Sequence, residues 1–408
     1  METWKKIRLG SACRTNTDSY SPKEKWDFVN YLDTGNITNN TIDSIQFIDL
    51  TKEKLPSRAR RKVRTDSIVY STVRPNQHHF GIIKSQPENF LVSTGFTVID
   101  VDTNVLNADF LYYLLTKNTL VEALHAIAEQ STSAYPSIKP SDIENLEIEI
   151  PDILTQKKIA NILNILDGKV TQNNEINKNL EQQAQTIFKS WFVDFEPFGG
   201  VQPSEMQFIP LQELCKVVTK GTTPTTLGKS FTNSGINFIK AESIHDNHSI
   251  DSSKFAFIDE ETNALLKRSI IKANDIVFTI AGTLGRFAMI DNSMLPANTN
   301  QAVAIIRPDE TKVTPAYLYS FFIGNWHNEY YSKRIQQAVQ ANLSLTTIKS
   351  LPIAVLNDTT MSNYDKLVSP LFALMKNNEE ENRRLSKLRD TLLPKLMSGE
   401  LDVSDIDF

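Results

Sequence analysis

The second half of this chain repeats the first, and no other feature limits its possible folds as much. "DSIVY" at 66–70 returns as "NDIVF" at 274–278, and "NADFLYYLL" at 107–115 as "TPAYLYSFF" at 314–322. "SIKPSDIENLEIEIP" at 137–151 returns as "NLSLTTIKSLPIAVL" at 342–356. From residue 137 to the end of the first copy the match is ungapped, with Leu166 falling on Leu371, Leu180 on Leu385 and Ile187 on Leu392. Such constancy is expected of a helix, where an inserted residue rotates the buried face. The drifting offset before residue 137 suits strands joined by loops. A chain of 408 residues is also too long for one ordinary core, so two or more domains are expected.

Each copy has a front and a back. In the front parts "SIVYSTV", "LVSTGFTVIDVD", "DIVFTIAG" and "AVAIIRP" read as strands, and the runs 108–130 and 315–339 read as helices, which predicts α+β domains. The back parts read as long helices. In the first, Ile159, Leu163, Leu166, Val170, Asn173, Asn177, Leu180, Ala184, Ile187 and Trp191 follow steps of four and three. The second repeats this stripe as Tyr364, Val368, Leu371, Met375, Asn378, Asn382, Leu385, Arg389, Leu392 and Leu396. This is a heptad seam. Asn173 and Asn177 recur as Asn378 and Asn382, so two polar pairs would fix the register if the helices pack on each other. Pro370 is expected to kink or restart the second helix, and Arg389 spoils one seam position.

Net charge is −5, unlike most nucleic-acid binders, but the charge is unevenly placed. Lys52, Lys54, Arg58, Arg60, Arg61, Lys62 and Arg64 crowd one stretch opposed only by Glu53. Acid gathers at Glu379, Glu380 and Glu381 and in the tail at Glu400, Asp402, Asp405 and Asp407. That map suits one nucleic-acid face and a separate protein face. Neither a signal sequence nor an apolar run long enough for a bilayer is present, so the cytoplasm is expected and no membrane partner. Cys13 and Cys215 lie in different copies without a second thiol nearby, and read as buried thiols in a reducing compartment.

Catalytic motifs are missing or defective. "GTTPTTLGKS" at 221–230 imitates a phosphate-binding loop, but position 223 is Thr where the motif needs Gly. An amino-methyltransferase would need a polar-Pro-Pro-aromatic run, and the chain has no Pro-Pro pair. "PDETK" at 308–312 holds the elements of a nuclease site fused without the spacing that would surround a metal, so it reads as a turn. His78-His79 and His245 with His248 lack accompanying metal ligands. No metal and no cofactor are expected in this chain. An enzyme carrying its own methyltransferase or nuclease fails on these motifs. A coiled-coil scaffold would leave two large domains idle.

Several strings resemble one known family. "TIFKSWFVDFEPFGG" (186–200) looks like the end of the central helix of type I restriction–modification specificity subunits, and "LRDTLLPKLMSGEL" (388–401) like their C-terminal signature. "KGTTPTT" (220–226), "GINFIKAESI" (235–244) and "ANDIVFTIAGTLGRFAMI" (273–290) resemble parts of a target-recognition domain, as does "YSTVRPNQHHFGI" (70–82) in the first copy. The resemblance implies two target-recognition domains, at 1–152 and 207–357. It also implies two long helices, at 153–193 and 358–400, packing as an antiparallel coiled coil, with a linker at 194–206 and an acidic tail at 401–408. It further implies a non-catalytic subunit that reads a split, asymmetric double-stranded DNA target. Partner subunits would supply adenine methylation with S-adenosylmethionine and ATP-driven restriction.

Candidate DNA contacts follow from residue chemistry, since arginine forks onto guanine and Asn or Gln onto adenine. In the first domain they are Arg58, Arg60, Arg61, Lys62 and Arg64, with Arg74, Asn76, Gln77 and His78 on the next loop. In the second they are Lys220, Thr222, Thr223, Lys240, Thr283, Arg286 and Asn300. Ile162 and Leu367, apolar positions beside the seam that match across the repeat, are candidates for binding the modification subunit.

Overall fold

The structure is a computed structural model that describes residues 4–131, 135–326 and 343–406. It divides into two compact units, Met1–Thr171 with Asn382–Phe408, and Gln172–Glu381. Each unit contains one front domain and half of each long helix.

In the first unit, one antiparallel sheet runs in the order Cys13–Thr15, Phe96–Val101, Ser67–Ser71, Phe80–Ile83. A second runs Gln46–Asp49, Phe28–Leu32, Phe90–Ser93, Ala59–Arg61, its middle pair parallel with Leu32 opposite Val92. The sheets close on a shared core in which Leu32 and Val92 meet Val69, Phe96 and Val98, all buried. Each such side chain contributes about 1.5–3 kcal/mol over its exposed state. Lys5–Arg8 pairs with Glu147–Ile150, so the domain's first and last strands lie together.

The second unit repeats this topology. Cys215–Lys220, Val303–Pro308, Ile276–Thr279 and Phe287–Met289 form one sheet, and Ala256–Ile258, Ile236–Ile239 and Ala297–Thr299 the other, again with a parallel pair. Gln207–Pro210 pairs with Pro352–Val355 as the first and last strands do in the first unit. The sequence repeat is therefore a repeat of fold. Among the described residues, the strand Ala59–Arg61, which carries Arg60 and Arg61, is reduced in the second unit to a single bridge between Ile271 and Ala297.

The helices are α1 (Ala108–Leu115), α2 (Asn118–Glu129), α3 (Pro140–Glu144), α4 (Ile153–Phe192), α5 (Glu260–Leu265), α6 (Pro315–Ile323), α7 (Leu345–Lys349) and α8 (Asp358–Leu396). The run 108–130 is two helices rather than one, because Lys117 takes an extended ψ of 131° that breaks the ladder. In the run 315–339, residues 327–339 lie outside the described residues.

The long helices meet within each unit. In the first, Ile159 and Leu163 of α4 share a core with Leu396 and Met397 at the end of α8. In the second, Ala184 and Phe188 near the end of α4 share a core with Tyr364 and Val368 near the start of α8. Pro370 neither stops nor restarts α8. The lost N–H is one bond, and burial of Tyr364 and Val368 on the turn before it holds the helix across the gap.

Polar seam positions find specific partners. The Asn378 amide donates to Asn177 Oδ1 at 2.7 Å, and the Asn177 amide donates to the Met375 carbonyl at 3.2 Å. Asn173, fully buried, donates instead to Glu381 Oε2 at 2.7 Å, a charged acceptor beside Asn382. Arg389 does not spoil the seam. Its Nη1 donates to Asp167 Oδ1 at 2.7 Å, and the other Asp167 oxygen accepts from the buried Tyr113 hydroxyl at 2.8 Å. A polar cluster replaces an apolar knob.

The end of the chain is built into the first unit. Val403 is buried in its core, the Lys158 ammonium donates to the Ser404 carbonyl at 2.6 Å, and Gly399 lies against the Trp4 ring.

Candidate nucleic-acid interface

In the second domain, the parallel strands Ile236–Ile239 and Ala297–Thr299 set Ile239 opposite Thr299, so Lys240 and Asn300 leave the sheet side by side. The Thr299 hydroxyl ties the pair together by donating to the Ile239 carbonyl at 2.6 Å. Across this end runs the turn that follows Cys215–Lys220. Gly221 donates its N–H to the Asn300 carbonyl at 3.0 Å, so closely that a Cβ there would sit 1.8 Å from the Thr299 oxygen. Only glycine allows that approach. Arg268 Nη2 holds the turn by donating to the Lys220 carbonyl at 3.3 Å and to Thr222 Oγ1 at 3.4 Å, and the Thr223 hydroxyl donates to the Gln301 side chain. The loop after Ile276–Thr279 joins the same end, with Ile280 N–H donating to the Ala302 carbonyl at 2.8 Å and Thr283 exposed.

Six of the seven residues expected here therefore converge at one end of the sheets. Arg286 does not join them as a free side chain. Its Nε and Nη2 donate to Asp246 at 2.8 and 2.6 Å, and its Nη1 donates to the Ile244 carbonyl at 3.2 Å. Each nitrogen of the fork has a partner within the chain, which makes Arg286 a strut between two loops. Lys240 meets Glu242 at 2.5 Å, but Glu242 is largely exposed and such a pair is worth little. Gln301 and Arg268 belong to the cluster, and no motif in the sequence marks either.

The equivalent end of the first domain is built alike. Thr72 N–H donates to the Gly95 carbonyl at 2.8 Å, and Thr94 N–H donates to the Arg58 carbonyl at 2.8 Å, placing Arg58 beside the strand ends. Burial of Asp33 opposes its ionisation. The Thr34 N–H, the Ser93 and Tyr31 hydroxyls and the Arg58 charge outweigh that and hold its carboxyl below the usual range. The loop beyond turns through Pro75–Gln77 between Arg74 and His78, both at positive φ, 47° and 57°. Arg74 lies over the Tyr135 ring at 5.4 Å, with Asn76 and Gln77 exposed beside it.

The basic run separates into distinct environments. Arg58, Arg60 and Arg64 are exposed, and Arg61 is half-buried. Lys62 is withdrawn from the surface role expected of it, because it is paired with Glu24 at 2.5 Å and lies over the Trp26 ring at 5.4 Å.

Each domain also packs an imidazole on the equivalent phenylalanine. His78 lies edge-on to Phe80 at 5.6 Å, and burial together with the neighbouring His79 pushes its pKa down. His248 stacks on Phe287 at 4.1 Å, with Nε2 3.8 Å from Glu181 of α4, and burial pushes its pKa down as well. Burial favours the neutral form of both rings.

Features that imitate catalytic sites resolve into framework. Lys229 of the phosphate-loop imitation pairs with Glu261 at 2.7 Å, and the segment after it is a strand rather than a helix. Asp309 of "PDETK" caps its own turn by accepting from Thr311 N–H at 3.2 Å. Burial pushes both free thiols, Cys13 and Cys215, up to about 12. Among the described residues no group of His, Cys, Asp or Glu is placed to hold a metal, and no helix is long and apolar enough to cross a membrane. A cavity of about 220 Å³ in the second unit is lined by Phe188, Phe192, Phe321, Trp326 and other apolar residues, with no acid, base or nucleophile among the described residues of its wall.

On the long helices, Ile162 packs against the core of the first unit and is only partly exposed. Leu367 is 47% exposed and recurs at heptad spacing as Leu374 and Leu388. The exposed apolar positions of α4 are instead Leu154, Ile165 and Ile176.

Comparison with known proteins matches residues 1–182 and 203–358 to the family model described as the type I restriction modification DNA specificity domain. The specificity subunit of the type I restriction enzyme HindI of Haemophilus influenzae is 26% identical, over 98% of this chain and 100% of its own length. The MjaIX specificity subunit of Methanocaldococcus jannaschii is 26% identical over 98% and 94%. Among solved structures, the type I restriction–modification S subunit from M. genitalium aligns over 97% of this chain and 96% of its own at a TM-score of 0.57 and 16% identity, a likeness of fold.

Proposed function

Because the chain belongs to the type I restriction–modification DNA specificity family, we propose that it reads a split, asymmetric double-stranded DNA target and itself performs no chemistry. The domain at 1–152 reads one half-site and the domain at 207–357 the other. The helices at 153–193 and 358–400 pack as an antiparallel coiled coil that sets the gap, with 194–206 as linker and 401–408 as tail. What supports this most is that one topology, built twice, presents a polar loop cluster at the same end, with different side chains in each copy. Two unlike clusters imply two unlike half-sites. In the helices, the start of one meets the end of the other within each unit, and 40 residues of α4 reach about 60 Å. That length can bridge half-sites one turn of DNA apart, roughly 10 base pairs. Modification subunits carrying S-adenosylmethionine place one methyl group on an adenine in each half, and ATP-driven subunits restrict unmethylated DNA, all in the cytoplasm.

Mapping adenine methylation in cells with and without this chain tests the reading. Loss of one bipartite, asymmetric motif on removal is the expected result, and a continuous or palindromic motif sinks it. For the modification subunit, the exposed leucines of α8 offer the docking surface, and Leu367→Glu with Leu374→Glu should abolish co-purification. Both side chains stand clear of the core, so the variant should still melt as the wild type does. Unchanged co-purification removes the assignment.

A further inference from the structure

Among the described residues of the first domain, Arg61 is a half-buried arginine to which no carboxylate is paired. Arg61 ends the edge strand Ala59–Arg61, opposite Val92 on one side and bridged by Ser19 on the other. Its backbone edge is therefore occupied, and only its side chain can meet a ligand. That side chain is half-buried, and its Nε is buried without a hydrogen-bond partner. Burial pushes its pKa down with no neighbouring carboxylate to offset the effect.

Several other half-buried cations are paired with carboxylates. Arg307 is forked onto Asp275 at 2.6 and 2.7 Å, Arg286 onto Asp246, Arg389 meets Asp167, and Lys62 meets Glu24. Among the described residues no carboxylate answers Arg61. A partly desolvated guanidinium with no carboxylate beside it is costly, and an acceptor from outside the chain that meets its terminal nitrogens offsets that cost. An exposed arginine such as Arg60 can follow a phosphate through many geometries. A stem held against a sheet presents its fork in one place, which is what recognition of the O6 and N7 atoms of guanine requires.

We infer that Arg61 is the residue with which the first domain reads a guanine base in its half-site, while Arg58, Arg60 and Arg64 hold the surrounding phosphates. The inference rests on the DNA-reading function proposed above and assigns it a base and a residue.

Selection of bound duplexes from a randomised library by the full-length chain tests it. The wild type should yield a two-part motif. Arg61→Ala should lose preference at one guanine in one half, keep the other half intact, and bind the wild-type site roughly 5- to 100-fold more weakly. Arg61→Lys keeps stem and charge but not the fork, and should lose the same guanine. Arg60→Ala should keep the whole motif and flatten the logarithmic salt dependence by about 0.9. The retained second half-site reports that each variant is folded, and if alanine unfolds the domain, the lysine variant decides. A wild-type motif from both Arg61 variants overturns the inference while leaving the DNA reading intact. A wild-type chain that selects no motif overturns the DNA reading, and the inference falls with it.

Discussion

Exchanging residues 207–357 for the equivalent segment of a relative should replace one half of the methylated motif and leave the other half and the gap unchanged. The segment is a closed structural element. Gln207 lies opposite Val355 and Pro210 opposite Pro352, so both cut points fall on one pair of neighbouring strands. The reading loops at 220–223, 240, 280–286 and 300–302 all lie inside the exchanged segment and are tied to one another rather than to the rest of the chain. The graft must match one apolar surface, where Tyr317 meets Phe188 and Phe192 of α4 and Tyr364 of α8. A donor with aromatic residues at those places keeps the seam. Methylome sequencing of cells carrying the chimera reads the outcome directly. A change in both halves, or in the gap, would show that specificity is not divided between the domains.

A single methyl group should be almost as damaging. In Gly221→Ala the new Cβ would lie 1.8 Å from the Thr299 oxygen and 2.7 Å from the Asn300 oxygen, both backbone atoms that cannot swing aside. The turn must lift, breaking the Gly221–Asn300 hydrogen bond and freeing Lys220, Thr222 and Thr223 from the cluster. Loss of one half-site's contacts should lower affinity for the target by at least about 100-fold, equivalent to about 3 kcal/mol. Amide exchange should rise in Cys215–Lys220 and stay unchanged in the first domain. Gly228→Ala, seven residues on, is the control. Nothing lies within 4 Å of its Cβ, so only the strain of its φ of +69° enters, about 1–2 kcal/mol of stability, and binding should be nearly unaffected. Equal behaviour of the two variants would refute the role given to the turn.

The legible parts of this molecule are those set by periodicity. The repeat, the strands around Ile68 and Ile276 and the two helices of α4 and α8 all follow from spacing alone. What spacing could not convey is which charges are already spent. Arg286 and Lys62 look like surface cations in the sequence because their carboxylates, Asp246 and Glu24, lie 40 and 38 residues away in the chain. Arg389 looks like a fault in the seam because Asp167 belongs to the other copy. Ile162 and Leu367 are equivalent in the repeat, yet one packs on a core and the other is exposed, since each copy meets different neighbours. Gly221 had a chemical meaning only once Thr299 was beside it.

The division of the chain between its units also has a consequence for synthesis. The second unit, Gln172–Glu381, is one continuous stretch, whereas the first is closed by Asn382–Phe408. At 5–20 residues per second, the ribosome needs roughly ten to fifty seconds to travel from the end of the first segment to the tail. Through that interval Ile159 and Leu163 lack Leu396 and Met397, and the place of Val403 is open. The domain that emerges first is thus completed last, with part of its apolar core uncovered in the meantime.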